Sequence, residues 1–187
     1  MELTKENLEF IHQNLLERID DLDKIILGNS QTLDEKLNRY TKISSFFCIS
    51  AAIESLITSI INKKYSQDQF SISFMHSKLK FSGAFLEYDL IEKLIGIFEF
   101  NKISMNDFTS VFYPICEKQI KQHIDRAGTK LLFEQETFRD IYKEVKSERN
   151  RIAHEFTWNN NNFSAGMLVK FLKTYYVLYR YALTLIE

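Results

Sequence analysis

The chain has 187 residues, 45% hydrophobic and 26% charged, with a formal net charge of -1. That length suits one domain with a full hydrophobic core, and the near-zero charge excludes a molecule that grips nucleic acid with its whole surface, so any basic surface must be local. With only 5 glycines and 1 proline, turns are few and elements are long; in a chain rich in Leu, Ile, Lys and Glu they should be helices.

The opening "MELTKENLEF" is acidic and amphipathic, unlike a signal peptide. Leu8, Ile11, Leu15, Ile19, Leu22 and Ile26 keep three-four spacing, which predicts a first helix, and Gly28 stands where a C-terminal stop belongs. Thr32 followed by Glu35 reads as a capping box, opening a second helix that runs to about Lys64. Within it, "ISSFFCISAAIESLITSII" lacks Lys and Arg and is long enough to span a membrane. Glu54 in its middle would be costly in lipid, so the stretch reads as a central helix buried in a soluble bundle. Its serines and alanines would let neighbouring helices come close.

Residues 65 to 82 break the pattern. "FSISFMHSKLKF" alternates like a strand, but a lone strand has no pairing partner, so an ordered loop or short extended segment is expected. "GAFLEYDLIEKLIGIFEF" returns to helical spacing, and Ser104 offers a further helix start, for a helix to about Gly128 that Pro114 would kink. A helix from Thr137 to about Glu155 follows, then the polar turn "WNNNNFS". A final helix from Ser164 to Glu187 carries Met167, Phe171, Tyr175, Leu178, Ala182 and Ile186 along its inner stripe. With no internal repeat, linker or low-complexity tail, residues 1–187 read as a single all-α domain. The expected architecture is an up-down bundle of four to six helices with a partly extended insertion around residues 65–105.

Cys48 and Cys116 lie in apolar surroundings, as reduced, buried thiols of a cytoplasmic protein would. His12, His76, His123 and His154 show no zinc spacing, so neither a metal nor another cofactor is expected.

The chemistry concentrates in the helix beginning at Thr137. At about 100° per residue, Phe138, Ile141, Tyr142, Val145, Ile152, Ala153 and Phe156 fall on one apolar face. Asp140, Glu144, Glu148 and Arg151 form a mainly acidic face. Arg139, Lys143 and Lys146 form a third, leading to Asn150 and His154. Arg149 falls on the core side, where an arginine must be paired or must reach outward along its stem; Glu54 is a candidate partner and Glu148 a nearer one in sequence. On the residues alone two readings stay open. A row of cations and a terminal histidine can be a solvated face and a helix end, or they can form a site. Arg149 and His154, five residues apart, lie about 140° apart on an ideal wheel, so one phosphate could meet both only if the helix ends or bends between them, or if another helix or subunit completes a cleft.

"RNRIAH", Arg149 to His154, resembles the signature of the HEPN superfamily: an arginine, a polar residue, three more residues, then a histidine. "ERNRIAHEF" is similar to the form found in the RiboL-PSP-HEPN branch. The motif near the end of a late helix, with one final helix after it, fits the helical plan of such domains. The resemblance implies a metal-independent endoribonuclease that works as a homodimer with both motifs in one cleft, often a toxin or anti-phage effector controlled by an antitoxin protein. It places the catalytic roles on Arg149, Asn150 and His154; the supporting roles of Glu54 and Glu148 come from the wheel, as candidate partners of Arg149. Phe156 stands two residues after the histidine, where one subtype has a nucleotide-accepting tyrosine, so neutralisation of that kind cannot occur here.

The residue types suit that chemistry. RNA supplies its own nucleophile, the 2′-hydroxyl; cleavage needs a base, a proton donor for the leaving 5′-oxygen, and positive charge at the phosphate. Histidine transfers protons near neutrality, and arginine's planar fork binds two phosphate oxygens. Arg139, Lys143 and Lys146 would guide the RNA backbone. Trp158 or a tyrosine could stack on a base, although aromatics here more often fill a core. The alternatives are a non-catalytic module of the same family, binding RNA or protein, and a structural helical bundle.

Overall fold

Thr4 starts the first helix. Its hydroxyl accepts the backbone N–H of Asn7 at 3.2 Å, and Leu3 and Leu8, which flank the first turn, are both buried, the placement of a hydrophobic staple. The computed structural model describes residues 2–28, 35–65, 91, 137–154 and 165–187. These form four helices and no strand: α1 (Lys5–Gly28), α2 (Glu35–Lys64), α3 (Phe138–His154) and α4 (Ala165–Thr184). The fold is an all-α helical bundle. The expected insertion around 65–105 lies outside the described residues apart from Tyr65 and Ile91, as do Thr32 of the capping box and the helix expected from Ser104.

Where their side chains are described, the predicted stripes face the core, with Met167 and Ile186 at the ends of the last one only partly buried. Leu8, Ile11, Leu15 and Ile19 of α1 meet Phe46, Ile49, Ile53, Leu56, Ile57 and Ile60 of α2 in one hydrophobic cluster with α3 and α4. Each such side chain removed from water contributes about 1.5–3 kcal/mol, before the entropy of ordering it is subtracted. Phe46 and Phe171 meet edge to face with centroids 4.9 Å apart, which joins α2 to α4.

α2 and α4 share the centre of the core but are buried in different patterns. α2 keeps an exposed edge at Ser44, Phe47, Ala51 and Ser55, whereas every residue of α4 from Phe171 to Leu178 is buried. α4 packs against α1, α2 and α3, so it is the element the other three share. Its polar groups are satisfied inside: Thr174 donates back to the Lys170 carbonyl at 2.9 Å, and the Tyr175 hydroxyl lies 3.0 Å from His12 Nδ1. His12 stacks on Tyr179 with centroids 4.4 Å apart, and burial lowers its pKa.

Ile43–Lys64 has the length and apolar composition to cross a membrane. Here it is a core helix, packed on α1 and α4, with Glu54 half-buried at its middle. Cys48, on the same helix, is a half-buried free thiol.

Candidate functional site

α3 is fixed at its start by a side-chain cap. Thr137 Oγ1 accepts the Asp140 N–H at 3.2 Å and donates to Asp140 Oδ2 at 2.6 Å. The hydroxyl satisfies an otherwise orphan donor, and the carboxylate adds negative charge to the positive end of the helix. The bond from Thr137 holds the Asp140 carboxyl below its ordinary pKa. Phe138, Ile141, Tyr142, Val145 and Ile152 face the core, as the wheel predicts. Lys170 of α4 pairs with Glu144, a second tie between these helices.

The apolar face sets where Arg149 goes. It falls on the core side of α3, yet its side chain stays 22% exposed. Its Nη2 donates to Glu54 Oε1 of α2 at 2.9 Å, and its Nη1 donates to Asn150 Oδ1 at 3.3 Å. Glu54 is 27% exposed, so this pair spans α2 and α3 at the edge of the core rather than in it. Of the two candidate partners for Arg149, the nearer in sequence is taken: Glu148 holds Arg151 through a two-bond fork at 3.0 and 2.5 Å. Arg149, Asn150 and Glu54 thus come together, and Glu148 does not join them.

Tyr142 lies two turns before Arg149 on the same face and is fully buried. Burial, and then the charge of Glu54, push its hydroxyl far above the ordinary tyrosine range. A neutral phenol next to the pair keeps the local charge at Arg149 plus Glu54.

The three cations of the third face divide by burial. Arg139 and Lys143 are exposed; Lys146 is half-buried, and burial lowers its pKa. α3 continues unbroken to His154, its last residue. No bend therefore brings Arg149 and His154 onto one face: by register they are about 140° apart around the helix and about 7.5 Å apart along it. The side chain of His154 lies outside the described parts of the structure, as do Phe156 and Trp158.

The chain was compared with protein-family models, with curated proteins and with solved structures, and none matches.

Sequence reasoning missed two features. His12 falls between Ile11 and Leu15 on the α1 stripe, and its place in the core with Tyr175 was legible from that register. The half-burial of Lys146 was not, because it depends on what surrounds α3.

Proposed function

We propose that the chain is a metal-independent endoribonuclease of HEPN type, acting in the cytoplasm as a toxin or anti-phage effector. The observation that carries this reading is the Arg149 guanidinium, held by Glu54 at 2.9 Å and joined to Asn150 at 3.3 Å, on the same unbroken helix that ends at His154. An arginine fixed at the core edge and still part-exposed is preorganised to take phosphate oxygens without paying again for its own ordering.

In the reaction, His154 takes the 2′-hydroxyl proton and O2′ attacks phosphorus. The bond from phosphorus to O5′ then breaks, and O5′ receives a proton. The products carry a 2′,3′-cyclic phosphate and a 5′-hydroxyl. Arg149 holds non-bridging oxygens, and Asn150 orients Arg149 through its amide oxygen. One histidine cannot be base and acid in the same instant, and the register separates it from Arg149. Both points are met if two copies pack with their α3 C-termini in one cleft, so that the second His154 protonates O5′. Arg139 and Lys143 draw the backbone in, with affinity that falls as salt rises. An antitoxin protein would act by covering that cleft.

The Glu54–Arg149 pair also fits a second reading, in which the motif ties α2 to α3 in a bundle that binds RNA or protein without cutting. One assay separates the two. Purified protein is incubated with RNA in EDTA and the product ends are mapped. Cyclic phosphate ends, with no cut at a 2′-deoxy nucleotide, support the ribonuclease; intact RNA that nonetheless binds supports the other.

A further inference from the structure

Among the described residues, α2 alone presents an exposed strip without charge. Phe47, Ala51 and Ser55 follow one another along it at four-residue spacing, and Phe47 is 47% exposed. Between Ile43 and Ile61 the one charged residue is Glu54, whose carboxylate meets Arg149 at 2.9 Å. The other exposed large apolar side chain, Phe10, stands between exposed Glu6 and Asn14 on α1 and is an ordinary single apolar residue on polar ground. Phe47 is a different case: covering its strip removes apolar surface from water with no charge to desolvate.

Symmetry indicates what covers it. In a twofold pair the same patch meets itself. Arg139 and Lys143 of α3 would there meet their own positive charge, and Glu6, Glu17 and Arg180 interrupt the exposed faces of α1 and α4. The α2 strip sets no charge against itself, and its shape is self-complementary. Phe47 and Ser55 lie about 40° either side of Ala51 around the helix, and about 6 Å either side of it along the axis. In an antiparallel pair of α2 helices with the twofold axis through Ala51, Phe47 of one copy lands on Ser55 of the other, twice, and Ala51 meets Ala51. A large side chain against a small one fills the space between two helices, and alanine on the axis lets them close.

The direction of the pair bears on the site. Glu54 lies about 60° round the helix from Ala51 and about 4.5 Å along it. An axis perpendicular to the helices leaves both Glu54–Arg149 pairs on one flank of the dimer, facing each other. A parallel pair would put them on opposite flanks.

We propose that the strip Phe47–Ala51–Ser55 is where a second copy of this chain docks, as an antiparallel α2 pair centred on Ala51. The choice of antiparallel over parallel rests on the ribonuclease reading above, which needs two motifs in one cleft.

The test is sedimentation velocity of the full chain over a range of concentrations, with a thermal melt of each variant to show that it is folded. The wild type should be a dimer. Ala51→Glu and Ala51→Lys each set like charges against each other on the axis, and each should weaken the dimer by at least about 100-fold in Kd. Mixed, the two should pair again, because glutamate then meets lysine. Phe47→Ser, which adds no charge, should weaken the dimer by about 10-fold or more. A monomeric wild type, variants that pair as tightly as it does, or a mixture that stays monomeric would overturn the proposal. RNA cleavage in the same samples separates the two levels. If Ala51→Glu breaks the dimer but the wild type leaves RNA intact, the α2 interface stands and the ribonuclease reading fails. If RNA is cut to cyclic phosphate ends while Ala51→Glu leaves the dimer unchanged, the interface alone falls.

Discussion

Replacing Glu54 by alanine leaves the Arg149 guanidinium without its carboxylate. The two side chains are 22% and 27% exposed, between the fully buried and the surface case. Breaking a buried pair costs about 3–5 kcal/mol and an exposed one about 0–1. For this pair we expect about 1–2 kcal/mol, since solvent reaches part of the stranded charge. At about 2–4 °C per kcal/mol for a chain of this size, that lowers Tm by roughly 2–8 °C. Glu54→Gln keeps an acceptor at the same place and should lose about half as much. The assay is a double-mutant cycle by thermal and urea unfolding, with Glu54→Ala in wild-type and Arg149→Met backgrounds. In the Arg149→Met background the carboxylate has lost its charged partner, so Glu54→Ala should cost about 1 kcal/mol less. A coupling within about 0.3 kcal/mol of zero would refute the idea that this pair fixes the arginine.

Thr137→Ala removes the cap of α3 and should cost about 1 kcal/mol, seen as a Tm drop of about 2–4 °C; an unchanged melt would mean the hydroxyl is not holding the helix start. His12 has a folded pKa below its ordinary 6.5, so the unfolded chain binds its proton first. Its contribution to stability is present above about pH 6.5 and is lost as pH falls through the lower, folded value. His12→Phe should show less loss than the wild type in unfolding measured across that range, and parallel curves would remove His12 as the cause.

Much of the bundle was legible because burial follows register. Leu8, Ile11, Leu15 and Ile19 alternate at three and four residues, and only one face of a helix can collect them. The boundaries were legible where side chains cap the backbone or glycine ends it, as at Thr137 and Gly28. The degree of enclosure was not. α2 holds the longer run without Lys or Arg, yet it is α4 that has an unbroken buried run, Phe171 to Leu178, because its tyrosine, threonine and lysine side chains bury long or bonded polar groups that a hydropathy pattern scores as surface. At the site, the choice of Glu54 over Glu148 for Arg149 needed three dimensions. Glu148 lies one residue away, but neighbours in sequence point about 100° apart on a helix, whereas Arg151 is three residues on and shares its side. The wheel had already shown that Arg149 and His154 diverge, and the unbroken course of α3 to His154 removes the bend that could have reunited them.

The decisive assay is RNA cleavage in EDTA by wild type, Arg149→Ala and His154→Ala, each first checked for a cooperative melt. Cleavage by the wild type to 2′,3′-cyclic phosphate ends, with both variants slower by at least about 100-fold, is the expected result. Equal cleavage by all three would contradict it, since the scissile chemistry would then lie elsewhere and Arg149 would be only a strut between α2 and α3.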